Sequence, residues 1–276
     1  MTTSSILHSP LGKKNDYISY YKPDLLFPIL RAHQREHLRL PAVLPLPFQG
    51  ADIWNAYELS WLNPKGKPIV AVGSFVFPCT SSYLIESKSF KLYLNSFNNT
   101  PFDSVEAVQA ILARDLSQAA GASVLVSVES MTSSDILIQP SFQGICLDEQ
   151  EIVCEAYSVT PTYLETEEDR VTETLFSDLL KSNCPVTGQP DWASVLITYT
   201  GKKIDHEGLL KYIVSFRDCQ EFHEQCVERI YWDIWQQCQP QKLFVKANYT
   251  RRGGLDINPY RSSEETHSKP MRLWRQ

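Results

Sequence analysis

Cys184 is fenced by prolines in the stretch Ser182-Asn183-Cys184-Pro185-Val186-Thr187-Gly188-Gln189-Pro190-Asp191. Pro185 and Pro190 fix φ and Gly188 permits a tight turn, so the stretch reads as a rigid loop. A thiol on a rigid loop is in place before a substrate arrives, as a nucleophile must be. Asp191 adds a carboxyl group, which burial can keep protonated near neutral pH and so fit for acid–base work beside a thiol. The plain alternatives are a half-buried turn cysteine and a turn-stabilising carboxylate.

Three further strings carry reactive or charged groups. His223-Glu224-Gln225-Cys226-Val227 invites comparison with the zinc-protease pattern HExxH, but Val227 occupies the second histidine's place. His223 is otherwise a capping or surface histidine. Glu86-Ser87-Lys88-Ser89-Phe90-Lys91 alternates as a strand does, which puts Glu86, Lys88 and Phe90 on one face. An exposed, charged edge strand is its plain reading. Arg251-Arg252-Gly253-Gly254 sets two guanidiniums beside backbone amides freed by glycine, a combination suited to phosphate and equally to a basic turn. No GxGxxG follows a strand, so a dinucleotide would not be held by a Rossmann fold.

The elements that must position these groups recur along the chain. Residues 1–50 read as an irregular lead-in with prolines at 23, 28, 41, 45 and 47. Ile53–Trp61 alternates as a strand and closes in a turn at Asn63–Gly66, and a β-rich segment runs from Tyr83 to Phe97. Asp103-Ser104-Val105-Glu106 reads as a capping box, with Asp103 the cap of an amphipathic helix over 104–118. Ser123–Val128 follows as a strand. The second half repeats the order: strands at Trp192–Thr200 and Leu209–Phe216, a helix from Glu221 to Gln237, and a strand at Leu243–Ala247. Ser96-Phe97 answers to Ser215-Phe216 and Val126 to Val245, each at an offset of 119 residues (215 − 96; 245 − 126). The pattern predicts an α+β protein with a duplicated antiparallel unit: a 51–160 module, then a 161–276 module. Between the copies, Glu165–Asp169 reads as a solvated acidic bend and Val171–Lys181 as a short helix.

Bulk composition narrows the class. The chain has 276 residues, 43% of them hydrophobic, a net charge of −6 and seven scattered cysteines. That charge argues against broad nucleic-acid binding, and the scattered thiols fit a reducing, cytoplasmic setting. No run is long enough to span a bilayer, and the first residues lack the pattern of a signal peptide.

Taken together, ESKSFKLY, CPVTGQPD and FHEQC resemble the QueF family, the NADPH-dependent 7-cyano-7-deazaguanine reductases, in its long two-module form. The resemblance covers nearly the whole chain. It implies tandem tunnelling-fold (T-fold) modules with helices packed on one face of antiparallel sheets. It also implies a nitrile reduction in queuosine biosynthesis, a tRNA-modification route, with no direct contact to nucleic acid. The thiol of Cys184 would add to the nitrile as a thioimide, with Asp191 and His223 handling protons. Glu86, Ser87, Lys88, Phe222, His223 and Glu224 would contact the 7-cyano-7-deazaguanine, Glu224 reading its N–H edge and Phe222 stacking on the ring. Lys88, Ser89, Arg252 and Gly253 would hold NADPH. No metal is expected, one active centre per chain draws on both halves, and a homodimer completes it. In the first copy the place of the cysteine loop, Gln49–Ile53, has no cysteine.

The competing readings are a zinc-dependent pterin or purine hydrolase on the same fold, with Cys184, His223 and Cys226 or Cys219 as ligands, and a non-catalytic purine-binding module. A nitrilase-like hydrolase would share the thioimide but end in an acid.

Overall fold

Runs that alternate apolar and polar residues need a partner strand and an apolar cover, and two units of this chain supply both. They appear in a computed structural model that describes residues 17–38, 40, 45–130, 138–268 and 271–276. The first unit takes in the described residues of Met1–Gln34, Asp52–Asp135 and Arg251–Ile257. The second takes in those of Arg35–Ala51, Ile136–Thr250 and Asn258–Gln276.

The first unit begins with a 3-10 turn at Pro23–Leu25, then β1 (Pro28–Leu30) and the start of α1 (Arg31–Glu36). β2 (Gln49–Leu62) and β3 (Pro68–Pro78) follow. Their connection is the expected turn: the Asn63 side chain accepts from the amides of Lys65 and Lys67, each at 2.9 Å, and Gly66 takes φ +77°. β4 (Tyr83–Ile85) pairs with β1, and then come α2 (Ser87–Asn95), α3 (Val105–Ala120) and β5 (Leu125–Ser130). The strand order is β5-β3-β2, with Leu255–Ile257 beside β2. Trp54, Phe75, Phe90, Tyr93, Leu112 and Leu116 join these strands and helices in one buried core. Phe90 meets Phe75 and Trp54 edge-on at 5.0 and 5.4 Å, a geometry favoured by the ring quadrupole.

The second unit adds β6 (Ile138–Gln139), β7 (Ile145–Cys146), β8 (Thr166–Asn183), β9 (Pro190–Ile204), α4 (His206–Val214), α5 (His223–Cys238), β10 (Lys242–Tyr249), β11 (Leu255–Ser262) and β12 (Arg272–Leu273). β11 from Asn258 onwards, β10, β9 and β8 form an antiparallel meander, with β7 parallel on its edge. The antiparallel α+β class expected from the sequence is therefore what the chain adopts.

Several local expectations are corrected. The Tyr83–Phe97 segment is a strand only to Ile85; Ser87–Asn95 is a helix. Phe90, Tyr93 and Leu94 lie on one helical stripe, and Glu86 caps the end by accepting from the amides of Lys88 and Ser89. Leu209–Phe216 is likewise helical, capped by Asp205, whose side chain accepts from the Gly208 amide at 2.9 Å. Alternation suggested strands in both places, but the capping carboxylates select helix. Val171–Lys181 is not a helix but part of β8, where Thr172 and Thr174 bond Thr200 and Thr198 across the ladder at 3.0 and 3.1 Å. The acidic run is the irregular start of that strand, with Glu167 and Glu168 paired to Lys203 and Lys202. Ser104, not Asp103, caps α3, accepting from the Ala107 amide at 3.2 Å.

The 119-residue offset relates α2 to α4 residue for residue. Ser96 and Ser215 both donate to the carbonyl three residues back, Tyr93 and Tyr212, at 2.6 Å. Tyr93–Phe97 and Tyr212–Phe216 repeat one edge-on contact at 5.2 and 5.3 Å. Asp205→Ala is expected to lower unfolding stability by about 1 kcal/mol, the usual loss of an N-cap, measured from denaturant midpoints at unchanged slope.

Candidate active site

β8 and β9 form a hairpin whose base pair is Asn183 with Pro190. The loop between them is closed from within: the Cys184 amide donates to the Gln189 carbonyl and the Gly188 amide to the Cys184 carbonyl, each at 2.9 Å. Gly188 takes φ +67°, a conformation glycine adopts without strain. Cys184, whose side chain opens the loop, is 5% exposed. The loop read from the sequence is present as a closed turn between the two strands.

Its position is set from the side. The Asn183 amide donates to the Cys219 carbonyl at 2.8 Å, and the Asn183 side-chain amide donates to the Arg217 carbonyl at 3.2 Å. This short bridge ties the residue before the thiol to the segment that enters α5. Asp191, 7% exposed, lies one step inside β9, opposite Ser182. Its neighbour Trp192 carries the guanidiniums of Arg217 and Arg275 over its ring at 5.6 and 5.7 Å, which pins the start of the strand.

α5 brings the remaining groups of this unit. Phe222 holds its N-cap position, His223 is its first residue and Glu224 its second, 3% exposed. A carboxylate in the first turn is favoured by the exposed amides and dipole of the helix N-terminus. His223 Nε2 stands 3.5 Å from Asp191 Oδ1, close enough for attraction and longer than a good hydrogen bond. Glu221, just before the helix, is bound by Arg229, whose Nε donates to both carboxylate oxygens at 2.9 and 3.0 Å and whose Nη2 donates to Oε1. Cys184, Asp191, Phe222, His223 and Glu224 therefore belong to one unit.

Glu86, Ser87, Lys88, Ser89, Arg252 and Gly253 belong to the other. Glu86 and Lys88 do not share a strand face, because they cap and open a helix. Glu86 is fully buried, and its two oxygens accept from the Lys88 amide at 2.7 Å and the Ser89 amide at 2.9 Å. Burial pushes its carboxyl pKa up, against those two bonds and the Lys88 charge, which pull it down. The Ser89 hydroxyl donates to the Glu86 carbonyl and accepts from the Phe27 amide, so it holds the turn that presents Lys88.

Arg252 pairs with Leu255 in both directions, at 2.9 and 3.1 Å, around Gly253 and Gly254 at φ +59° and +79°. Two positive φ values make the tight hairpin turn that only glycine enters freely. A side chain at Gly254 would strike Glu58, which is paired with Lys91. Arg251 lies over the Tyr57 ring at 5.1 Å, and the Tyr57 hydroxyl is fixed by Asp256 at 2.5 Å. Side-chain-free amides beside two exposed or half-exposed guanidiniums are a chemistry that fits the phosphates of a dinucleotide.

Among the described residues the metal-ligating groups that converge are Cys219, Glu221 and Cys226, within 4.8 Å of one another. Neither Cys184 nor His223 belongs to that group, and Glu221 is held by Arg229. Cys184, Cys219 and Cys226 take part in no disulfide. The sequence reading missed Tyr249, whose ring lies 4.0 Å from that of His223. A tyrosine ending a strand carries no local signal of such a contact.

A family model described as nitrile reductase, 7-cyano-7-deazaguanine-reductase N-term, matches residues 17–128, and one described as QueF-like protein matches residues 190–268. A protein of Dechloromonas aromatica (strain RCB) is 58% identical over 92% of this chain and 90% of its own length. One from Coxiella burnetii (strain RSA 493 / Nine Mile phase I) is 55% identical over 97% of each, and one from Burkholderia multivorans is 55% identical over 96% and 95%. All three are named NADPH-dependent 7-cyano-7-deazaguanine reductase. On this similarity the chain belongs to the QueF family.

Proposed function

We propose that this chain reduces the nitrile of 7-cyano-7-deazaguanine to the primary amine 7-aminomethyl-7-deazaguanine at the expense of NADPH, a step of queuosine biosynthesis. The observation that carries the reading is the closed Cys184 loop, buried and in the same unit as the Asp191–His223 pair.

A nitrile carbon is electrophilic but sluggish. The Cys184 sulfur adds to it, the thiol proton passes by way of Asp191 to the nitrile nitrogen, and a thioimide forms. Splitting one hard step into easier ones is the gain of covalent catalysis. NADPH, when bound, supplies the hydride, and two equivalents are needed to reach the amine. Release of the sulfur restores the Cys184 thiol, while His223 and Asp191 deliver the protons that the nitrogen takes up. Burial of Cys184 and Asp191 keeps water from competing for the adduct, which would otherwise drain to an acid.

Glu224 accepts from the N–H groups of the guanine-like edge, a two-point charge-assisted contact, and Phe222 stacks on the ring. Glu86, Ser87 and Lys88 contact the substrate as well, Glu86 through lone pairs outside its two capping bonds. Lys88, presented by the Ser89 turn, and Arg252 with Gly253 hold NADPH. The protein works as a homodimer in the cytoplasm; no described helix is long and apolar enough to cross a membrane.

Incubation with nitrile and NADPH should oxidise two NADPH for each amine formed, and Cys184→Ala should abolish both. An unaltered nitrile, or a Cys184→Ala enzyme that still forms amine, would overturn the assignment. Arg252→Ala should weaken NADPH by roughly 1.5–3 kcal/mol, the range for hydrogen bonds to charged groups, and leave NADH little changed. Equal losses for both nucleotides would place the 2′-phosphate away from this turn.

A further inference from the structure

We infer that Tyr249 is a positioning residue for His223: its ring, and not its hydroxyl, holds the imidazole where Nε2 meets Asp191. The inference rests on the proton-transfer role of His223 given above. Tyr249 ends β10, in register with Ala193 of β9, and the next amide, that of Thr250, donates to the Trp192 carbonyl at 2.9 Å. The ring is thus anchored by backbone bonds beside Asp191. It is 1% exposed and meets the imidazole at a centroid distance of 4.0 Å and an interplanar angle of 64°.

His223 needs such a wall. It stands at the first position of α5, where the Phe222 side chain makes no capping bond, and its contact with Asp191 is a loose 3.5 Å. Two side-chain torsions would otherwise be free to turn the imidazole away. The Tyr249 hydroxyl has no such task. Its polar neighbours are Cys226 and Ser182, and it makes no hydrogen bond to His223. Burial, with Cys226 and Asp191 nearby, keeps the phenol neutral. The contact with the imidazole is therefore made by the ring alone.

The test compares Tyr249→Phe with Tyr249→Leu. The phenylalanine variant should keep the wild-type kcat and melt at the same or a higher temperature. The leucine variant should lose about 10- to 100-fold in kcat, the scale of an ångström-level misplacement, with KM for the nitrile unchanged. In wild type and Tyr249→Phe the C2 proton of His223, assigned by its disappearance in His223→Ala, should show a ring-current displacement. A Tyr249→Phe enzyme as slow as Tyr249→Leu would overturn the inference, as would a folded Tyr249→Leu enzyme of wild-type kcat. Should the leucine variant fail to fold, an undisplaced proton resonance in wild type is the overturning result. A His223→Ala enzyme of wild-type kcat would instead sink the proton-transfer reading.

Discussion

A backbone hydrogen bond, from the Asn183 amide to the Cys219 carbonyl at 2.8 Å, joins the two halves of the proposed catalytic apparatus in the second unit. On one side of it stands the β8–β9 hairpin, which carries Cys184 at its loop and Asp191 just past it. On the other stands the segment that turns into α5 and delivers Phe222, His223 and Glu224. Neither half is local to the other in sequence, and the bridge is reinforced by bonds from the Asn183 and Lys181 side chains to the Arg217 carbonyl. A nucleophile and its proton donor must keep their separation to within fractions of an ångström, because reaction depends on near-attack geometry. Backbone bonds hold such a separation better than flexible side chains do.

The internal repeat explains how one chain carries two kinds of site. α2 and α4 share length, C-cap serine, tyrosine–phenylalanine contact and an acidic N-cap, Glu86 in one and Asp205 in the other. The chemistry has diverged around this common frame. The second copy has the cysteine loop and the first has the Lys88 helix, while the Gly253–Gly254 turn, preceded by two arginines, belongs to the second copy in sequence and to the first unit in the fold. In the first, the capping carboxylate is fully buried and raised in pKa, a cost that its two backbone bonds offset only in part. Perturbed carboxyls of this kind concentrate at functional sites, although structural caps share the property.

The cysteine loop was legible because its cause is local: prolines, one glycine and a turn length dictate the backbone before any tertiary contact forms. The long amphipathic helices α3 and α5 were legible for the same reason, since their apolar stripes persist over many residues. Short helices were not. Phe90-Lys91-Leu92-Tyr93-Leu94 satisfies both a two-residue and a 3.6-residue period, and the deciding signal was the capping role of Glu86, which the strand reading assigned to a face instead. β8 was misread for the opposite reason. Its local preference is weak, and the ladder to β9 overrides it. Tyr249 beside His223 was beyond reach, because nothing in the spacing of residues 223 and 249 says that a helix start and a strand end will meet.

Cys184 is proposed as a preorganised nucleophile that captures the nitrile before any reduction. Intact mass, followed by peptide mapping, after mixing the protein with 7-cyano-7-deazaguanine and no NADPH tests this most directly. One added substrate mass is expected on the peptide that contains Cys184, absent from Cys184→Ala. An unmodified wild-type protein, or an adduct that persists when Cys184 is replaced, would contradict it.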